Sequence, residues 1–515
     1  MPPSNAVQMF FFVPAPRVTI LWLDDDILSE ILSLLSMKNS LNLSETCRRL
    51  YPVSKHNALK EVTMSKAEQL PLFCSRYLIS QTPRHVWVLR TLDLSTVATP
   101  FPVSSARLLE DLLREAENCR VLKLANMENL VTSSFGLGHA LAALRRLEEV
   151  KLHLVGPWAL MVLTSLRSHP IKIFLDTFVD IGYDRLFEAL SYPAFSSLQT
   201  LGLNNPPKRT EVKNAHLHQL PSIRSLWLSH SRVPQYELVH VLPNVRALRL
   251  SDVVYWNKIR TFWYWHCYEM IPCWPVLDFV STSGQFGWHL HCPIHWLNAD
   301  NILDGHLHCG DIDESLILEE LRDGLPVVFS FRVIDRRHHI FWTWVLQRAM
   351  TRLRCLEFEL VEEVASILAQ SNIIYIHIRF RPISLYTPPV WWQLPQTFSR
   401  GLTDISRTFK DIPSLRYLSI DCAACDAQDS DLGNKRNFLR EEPQWWRMFT
   451  VQSGDKVVRR IPSFIGEQIR ERLHSPAYDC MQEFDDSEWF AQEDAPTNAR
   501  AVRETGLCHP SAFGH

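Results

Sequence analysis

The chain has 515 residues, 46% of them hydrophobic and 21% charged, with a mass of 59.8 kDa and a pI near 6.7. That composition can bury a large core and excludes a broadly disordered chain. A formal net charge of -3, with no concentrated block of Lys and Arg, excludes nucleic-acid binding as the main activity, because neutralising phosphates needs an excess of basic residues.

At the N-terminus, the apolar run MFFFVPAPRVTILWL from Met9 is interrupted by Pro14, Pro16 and Arg17 and has no basic stretch before it. It reads as neither a signal peptide nor a membrane span, and residues 1–19 are expected to be a flexible lead-in. Next comes LDDDILSEILSLL, from Leu23 to Leu35. Ile27, Ile31 and Leu35 recur at i, i+4 and i+8 with Leu28 and Leu32 beside them, which predicts an amphipathic helix with one broad apolar stripe. Asp24, Asp25 and Asp26 stand where carboxylates favour a helix N-terminus. The segment SLNLSETCRRLYPVS from Ser40 supplies a second apolar set, Leu41, Leu43, Cys47, Leu50 and Tyr51, closed by Pro52. A helical hairpin is expected.

This order, DDILSEIL, then a break at MKNSLNLS, then CRRLY, resembles the F-box, a small helical module that docks on the Skp-type adaptor of cullin ubiquitin ligases. The resemblance spans about residues 20–64. It implies that Leu23, Ile27, Leu28, Ile31, Leu32, Leu35, Leu43, Cys47 and Leu50 form or support the adaptor-binding face. The family commonly has Leu-Pro where this chain has Leu23 and Asp24. Two amphipathic helices ahead of a repeat array have another use, as a cap over the first repeat.

Downstream the chain repeats itself. Segments of the form apolar-x-x-apolar-x-apolar recur: LRTLDL from Leu89, LEEVKL from Leu147, LQTLGL from Leu198, IRSLWL from Ile223, VRALRL from Val245, LRCLEF from Leu353 and LRYLSI from Leu415. More worn copies are CRVLKL from Cys119, IKIFLD from Ile171, PVLDFV from Pro275, IHWLNA from Ile294, PVVFSF from Pro326 and IIYIHI from Ile373. Successive copies lie roughly 20 to 31 residues apart, with a wider gap before the last. Each alternates like a half-buried strand, and stretches with helical spacing follow, such as SSARLLEDLLREAENC, with Ser104 or Ser105 as N-cap, and GHALAALRRL from Gly138.

A strand and a helix that must stack on their neighbours predict an α/β solenoid; an ordinary doubly wound sheet also alternates strands and helices. The segments resemble degenerate leucine-rich repeats of the kind seen in F-box proteins of mushroom-forming fungi, over about Leu89 to Cys422. The asparagine ladder of that family is not kept in register; Asn126, Asn205 and Asn301 are isolated candidates.

On such strands alternate residues share a face, so the leucines point into the core and the residues between them line the concave side. Those positions carry polar residues at Thr91, Ser95, Glu149, Thr200, Ser225, Ser229 and Ser251. The candidate target-binding residues among them are Asp93, Lys123, Lys151, His153, Asn204, Trp227 and Arg249. Trp and Arg are the residue types that dominate interface hot spots.

Other stretches carry no assigned chemistry. HLHCPIHWLNADNILDGHLHCGD from His289 is rich in His and Cys, but His291, Cys292 and His295 straddle a strand whose neighbours point to opposite faces, so no metal site is expected. The single CAAC at Cys422 to Cys425 lacks the second pair of a zinc site. The Trp-rich RTFWYWHCYEMIPCWP from Arg260 reads as packing. No phosphate-binding loop, dinucleotide fingerprint, nucleophile elbow or H-E-x-x-H motif occurs, and the 16 glycines leave little to build such loops from. No cofactor or catalytic residue is assigned. The twelve cysteines are scattered from Cys47 to Cys508, which reads as free thiols in a reducing compartment, the cytoplasm and/or nucleus.

The expected organisation is α/β: lead-in 1–19, F-box-like helical module 20–64, leucine-rich-repeat solenoid 65–425, C-terminal cap 426–474 and an acidic tail 475–515 without fixed structure. The expected function is that of a non-catalytic receptor. It would tie a target protein on the repeat surface to an adaptor and, through it, to a cullin ligase. The alternative is a repeat scaffold without a ligase.

Overall fold

The computed structural model describes residues 23–35, 37–77, 83–97, 101–177, 181–206, 218–231, 235–251, 273–283, 290, 292–303, 324–333, 352–359, 368, 371–380, 409–410, 412–422, 443–451 and 453–490. It comprises two compact units, Met1–Gly324 and Leu325–His515. The lead-in, the CAAC stretch beyond Cys422, the Trp-rich stretch before Cys273 and, of the His/Cys-rich stretch, His289, His291 and residues 304–311 lie outside the described residues.

The first unit opens with three helices, α1 (Asp25–Ser33), α2 (Met37–Ser44) and α3 (Leu50–Lys60). Then follow β1 (Glu61–Thr63), α4 (Gln69–Tyr77), a 3-10 helix (Pro83–Val88), β2 (Thr91–Leu94), α5 (Val103–Glu115), β3 (Val121–Leu124), α6 (Met127–Ser133) and α7 (Phe135–Ala143). The unit continues with β4 (Glu149–Val155), α8 (Pro157–Thr164), β5 (Lys172–Thr177), α9 (Tyr183–Leu190), a second 3-10 helix (Pro193–Phe195) and β6 (Thr200–Asn204). It closes with β7 (Ser225–Ser229), α10 (Gln235–Val241), β8 (Ala247–Ser251), β9 (Leu277–Ser283) and β10 (Ile294–Leu303). Strand order follows sequence order from β1 to β10, and each neighbouring pair is parallel. Parallel neighbours need a crossover connection; among the described residues, helices provide it between β1 and β6 and between β7 and β8.

Every repeated segment of the sequence contains a strand, and in leucine-bearing copies of the first unit such as β2, β3 and β7 the leucines alternate with less buried residues. In β2, Leu92 and Leu94 are buried while Thr91 and Asp93 are half-buried. The helices lie on the leucine side; Leu109, Leu112 and Leu113 of α5 are buried there. Two boundaries differ from the sequence reading. α5 begins at Val103 behind Pro102, so Ser104 and Ser105 sit inside its first turn. Glu61–Thr63, assigned to the helical module, are extended: Arg90 N–H donates to Lys60 O, Met64 N–H to Asp93 O, and Val62 is buried. Asn126 (φ 51°) and Asn205 (φ 48°) adopt the left-handed conformation where the chain leaves β3 and β6, a backbone region that Asn tolerates better than most residues.

The second unit holds β11 (Val328–Val333), β12 (Cys355–Glu359), β13 (Tyr375–Phe380), β14 (Tyr417–Cys422), β15 (Gln444–Thr450) and β16 (Lys456–Ile461), then α11 (Ser463–His474) and α12 (Ser487–Phe490). β11 to β14 are parallel; β14, β15 and β16 are antiparallel. Gly454, at φ 86°, makes the tight turn between β15 and β16. α11 folds back onto the sheet with Gly466 against the Trp445 ring, where a Cβ would collide.

Residues 475–490 were expected in the acidic tail, yet they pack on the strands with Cys480, Phe484 and Phe490 buried. Their carboxylates have partners: Glu483 pairs with Arg416 at 2.7 Å and Asp486 with Arg447 at 3.1 Å.

Candidate functional site

In the helical module, the start of α1 is extended at Asp24, whose carbonyl accepts from Leu28 N–H at 2.9 Å; its side chain makes no capping bond. Arg49 fastens this end, donating to Leu23 O at 2.9 Å and lying 3.6 Å from Asp25. Asn57 on α3 fastens the other end, donating to Leu32 O at 2.5 Å and to Ser40 Oγ at 3.3 Å. α1 packs on α3, and α3 in turn on β1 and the first 3-10 helix.

The apolar stripe of α1 therefore divides in two. Leu28 and Leu32, each 1% exposed, face inward with Leu50. Ile27 at 45% and Leu34 at 83% face outward, with half-buried Ile31 between them, on the i, i+4, i+7 line of one helical face. Leu23, Leu35, Leu43 and Cys47 are half-buried, and Tyr51 is exposed at 48%. Of the expected adaptor-binding residues, Leu28, Leu32 and Leu50 thus support the module from within. Leu34 and Tyr51 are outward residues that were not among them. The signal for Leu34 was its helical spacing from Ile27 and Ile31.

The second surface is the face of the first unit's sheet opposite its leucines. Register places Asp93, Lys123, Lys151, Phe174, Gly202, Trp227 and Arg249 side by side on β2 to β8. At one end two polar pairs form: Lys123 lies 3.3 Å from Asp93, and His153 lies 3.5 Å from Asp176. Burial alone would raise the Asp93 carboxyl, but hydrogen bonds from Ser95 and the Lys123 charge hold it below its usual range. Asp176 is likewise lowered against burial, by hydrogen bonds from His153, Asn205 and Asn204.

At the other end the side chains are aromatic. Phe174 lies over Gly202, where a Cβ would collide with its ring, and meets Trp227 edge-on at 5.0 Å. Trp227 Nε1 donates to Ser225 Oγ at 3.1 Å, which fixes the indole. Arg249 stacks 4.3 Å from the Trp227 ring and 5.5 Å from Phe279, and Phe279 meets Trp296 at 4.8 Å. Sequence reading found Trp227 and Arg249 but missed Phe174, Phe279 and Trp296, which sit in worn copies of the segment, and the permissive Gly202 in LQTLGL.

In the second unit, Cys355, Glu357 and His474 bring potential metal-ligating atoms within 4.8 Å of one another. The site is already filled by protein charge. Glu357 accepts from Arg379 at 2.7 Å, Arg470 at 2.9 Å and Ser330 Oγ at 2.8 Å, and lies 3.2 Å from His474. Burial opposes ionisation of Glu357, yet the His474 hydrogen bond and the Arg470 charge hold it well below the carboxylate range. The Cys355 thiol is pushed up by burial and by the adjacent carboxylate. A carboxylate saturated by two guanidiniums beside a protonated thiol suits a structural ion cluster, not a cation site.

The three-helix module thus leaves an apolar line open on its first helix. Residues 20–61 match the F-box domain family. F-box domains bind Skp-type adaptors and in general serve substrate receptors of SCF ligases. A search of curated proteins found no match to the chain.

Proposed function

We propose that this chain is the substrate-recognition subunit of an SCF-type cullin ubiquitin ligase. It docks the Skp-type adaptor through α1–α3 and holds a target protein on the open face of a leucine-rich-repeat solenoid. The observation that carries the reading is the F-box match at residues 20–61 on a module whose Ile27, Ile31 and Leu34 line stays open. Its mechanism is proximity: a bound target's lysines meet the ligase's ubiquitin carrier at high effective concentration, without bond chemistry on this chain. The site of action is the cytoplasm and/or nucleus, in keeping with buried thiols such as Cys74 and Cys119, both pushed up to about 12 by burial.

The packing of α3 on β1 favours a second reading, a repeat scaffold whose helices only cap the sheet. Co-purification with a Skp-type adaptor separates the two. The wild type should retain the adaptor, and Ile27→Asp should lose it while keeping its circular dichroism, since Ile27 is outside the module's interior. A wild type that retains no adaptor leaves only the scaffold.

A further inference from the structure

We infer that the aromatic end of the first unit's open face reads a carboxylate: its occupant is a segment of another protein presenting an Asp or Glu flanked by apolar side chains. The inference deepens the proposed receptor role and rests on it for the identity of the occupant as a target. The charge pattern carries it. On β2 to β5 the open face carries both signs, with Asp93–Lys123 and His153–Asp176 paired within it. On β6 to β9 the face carries Gly, Ser, Thr, Asn, Ala and aromatic residues, and Arg249 is its single charged residue among those described. Arg249 is exposed and has no carboxylate partner among the described residues; its contacts are the rings of Trp227 and Phe279.

Stacking covers the faces of a guanidinium and leaves its in-plane N–H groups as donors, in the fork that fits one carboxylate bidentately. Trp227 is itself held by Ser225 and by Phe174 lying over Gly202, so the ring beneath the Arg249 guanidinium is fixed in place. A single cation with no second one beside it among the described residues matches a monoanionic carboxylate better than a dianionic phosphate. The rings on both sides of it match apolar side chains flanking that carboxylate.

The test uses the immobilised full chain and three synthetic pentapeptide pools with Glu, Gln or phosphoserine at the centre and Leu, Ile, Val, Phe, Met or Tyr elsewhere. Retention is read by mass spectrometry. The Glu pool should be retained roughly tenfold over the Gln pool, with the preference weakened by high salt and abolished in Arg249→Gln. Arg249→Lys should keep only part of it, because an ammonium lacks the fork. Equal retention of Glu and Gln pools, an unchanged preference in Arg249→Gln, or preference for phosphoserine overturns the inference. So does self-association of the wild type that Arg249→Gln removes, which would make a second copy the occupant. Adaptor co-purification in the same preparations is expected to be unchanged in Arg249→Gln, so failure of the carboxylate reading and failure of the ligase reading are separately visible.

Discussion

Strands of the two units treat their second face differently. In the first unit β2, β3 and β7 bury alternate residues and leave the others half-open. In the second unit β12 buries Cys355, Leu356, Glu357 and Phe358 in succession, and β13 buries Tyr375 to Ile378. The cause is α11 and the segment that follows it. Arg470 and His474 come down on Glu357, Arg354 Nε donates to Cys480 O, and the Tyr417 hydroxyl donates to Asp486. A polar residue between two apolar ones is therefore left half-open in one unit and committed to the fold in the other. The face that stays open is the one proposed for recognition, and the covered face must satisfy every polar group it buries.

The largest expected effect lies in the covered face. Glu357→Ala leaves Arg379 and Arg470 facing each other without their carboxylate, and breaking a buried ion cluster from one side costs about 3–5 kcal/mol. Urea unfolding read by hydrogen exchange in β12–β14 should show that loss, with β2–β5 unaffected. Acid acts on the same unit. Burial holds His377 neutral and pushes its pKa from 6.5 down to about 3, against the raising influence of Glu357. The unfolded chain takes up that proton below pH 6.5 and the folded chain does not, so stability is full above pH 6.5. It then falls by about 1.4 kcal/mol per pH unit toward pH 3. Below the unfolded carboxylate value, protonation of Glu357 adds to the loss. Hydrogen exchange at pH 7 and pH 5 should show protection dropping in β12–β14 first; equal loss in both units would break the contrast.

That contrast was only half legible in the sequence. The strands were readable because LRTLDL and LRCLEF carry the same alternation, and both fold as strands. The fate of their polar positions was not, since Asp93 and Glu357 occupy equivalent places in those two segments. What separates them is Arg470, 113 residues beyond Glu357, and no local pattern announces that contact. The acidic run around Asp486 was read as a solvated tail for the same reason: its neutralising Arg447 lies 39 residues before it. On α1, a period of 3.6 residues fixed a broad stripe, but which half faces inward depends on α3 and on Asn57. The aromatic row escaped because Phe174, Trp227 and Phe279 become neighbours only through cross-strand register.

A smaller effect is expected on the open face at Gly202. A valine there must displace Phe174, and overpacking of this kind costs about 1–3 kcal/mol. Because the ring borders open space it can swing away, so the low end of that range is expected. The Trp227 environment should change along with it. A shifted tryptophan emission with a nearly unchanged urea midpoint would show that the row is organised for a surface, whereas a collapse of the fold would make Phe174 a core residue and erase the difference between the units.

The smallest effect provides the control for the first. Asp93 occupies in LRTLDL the place Glu357 occupies in LRCLEF, and it too carries an ion pair, to Lys123 at 3.3 Å. Its side chain keeps 17% of its exposure and that of Lys123 28%, so water can replace either partner. A half-open pair of this kind contributes about 0–1 kcal/mol, and Asp93→Asn keeps the acceptor for the Ser95 N–H and hydroxyl. The urea midpoint should move barely at all, and less still in high salt, where the original pair is screened. A cost for Asp93→Asn as large as that for Glu357→Ala would mean that the first unit's open face is held together by its charges. Its paired end would then be part of the fold, and only the stretch around Trp227 and Arg249 would remain as a recognition surface.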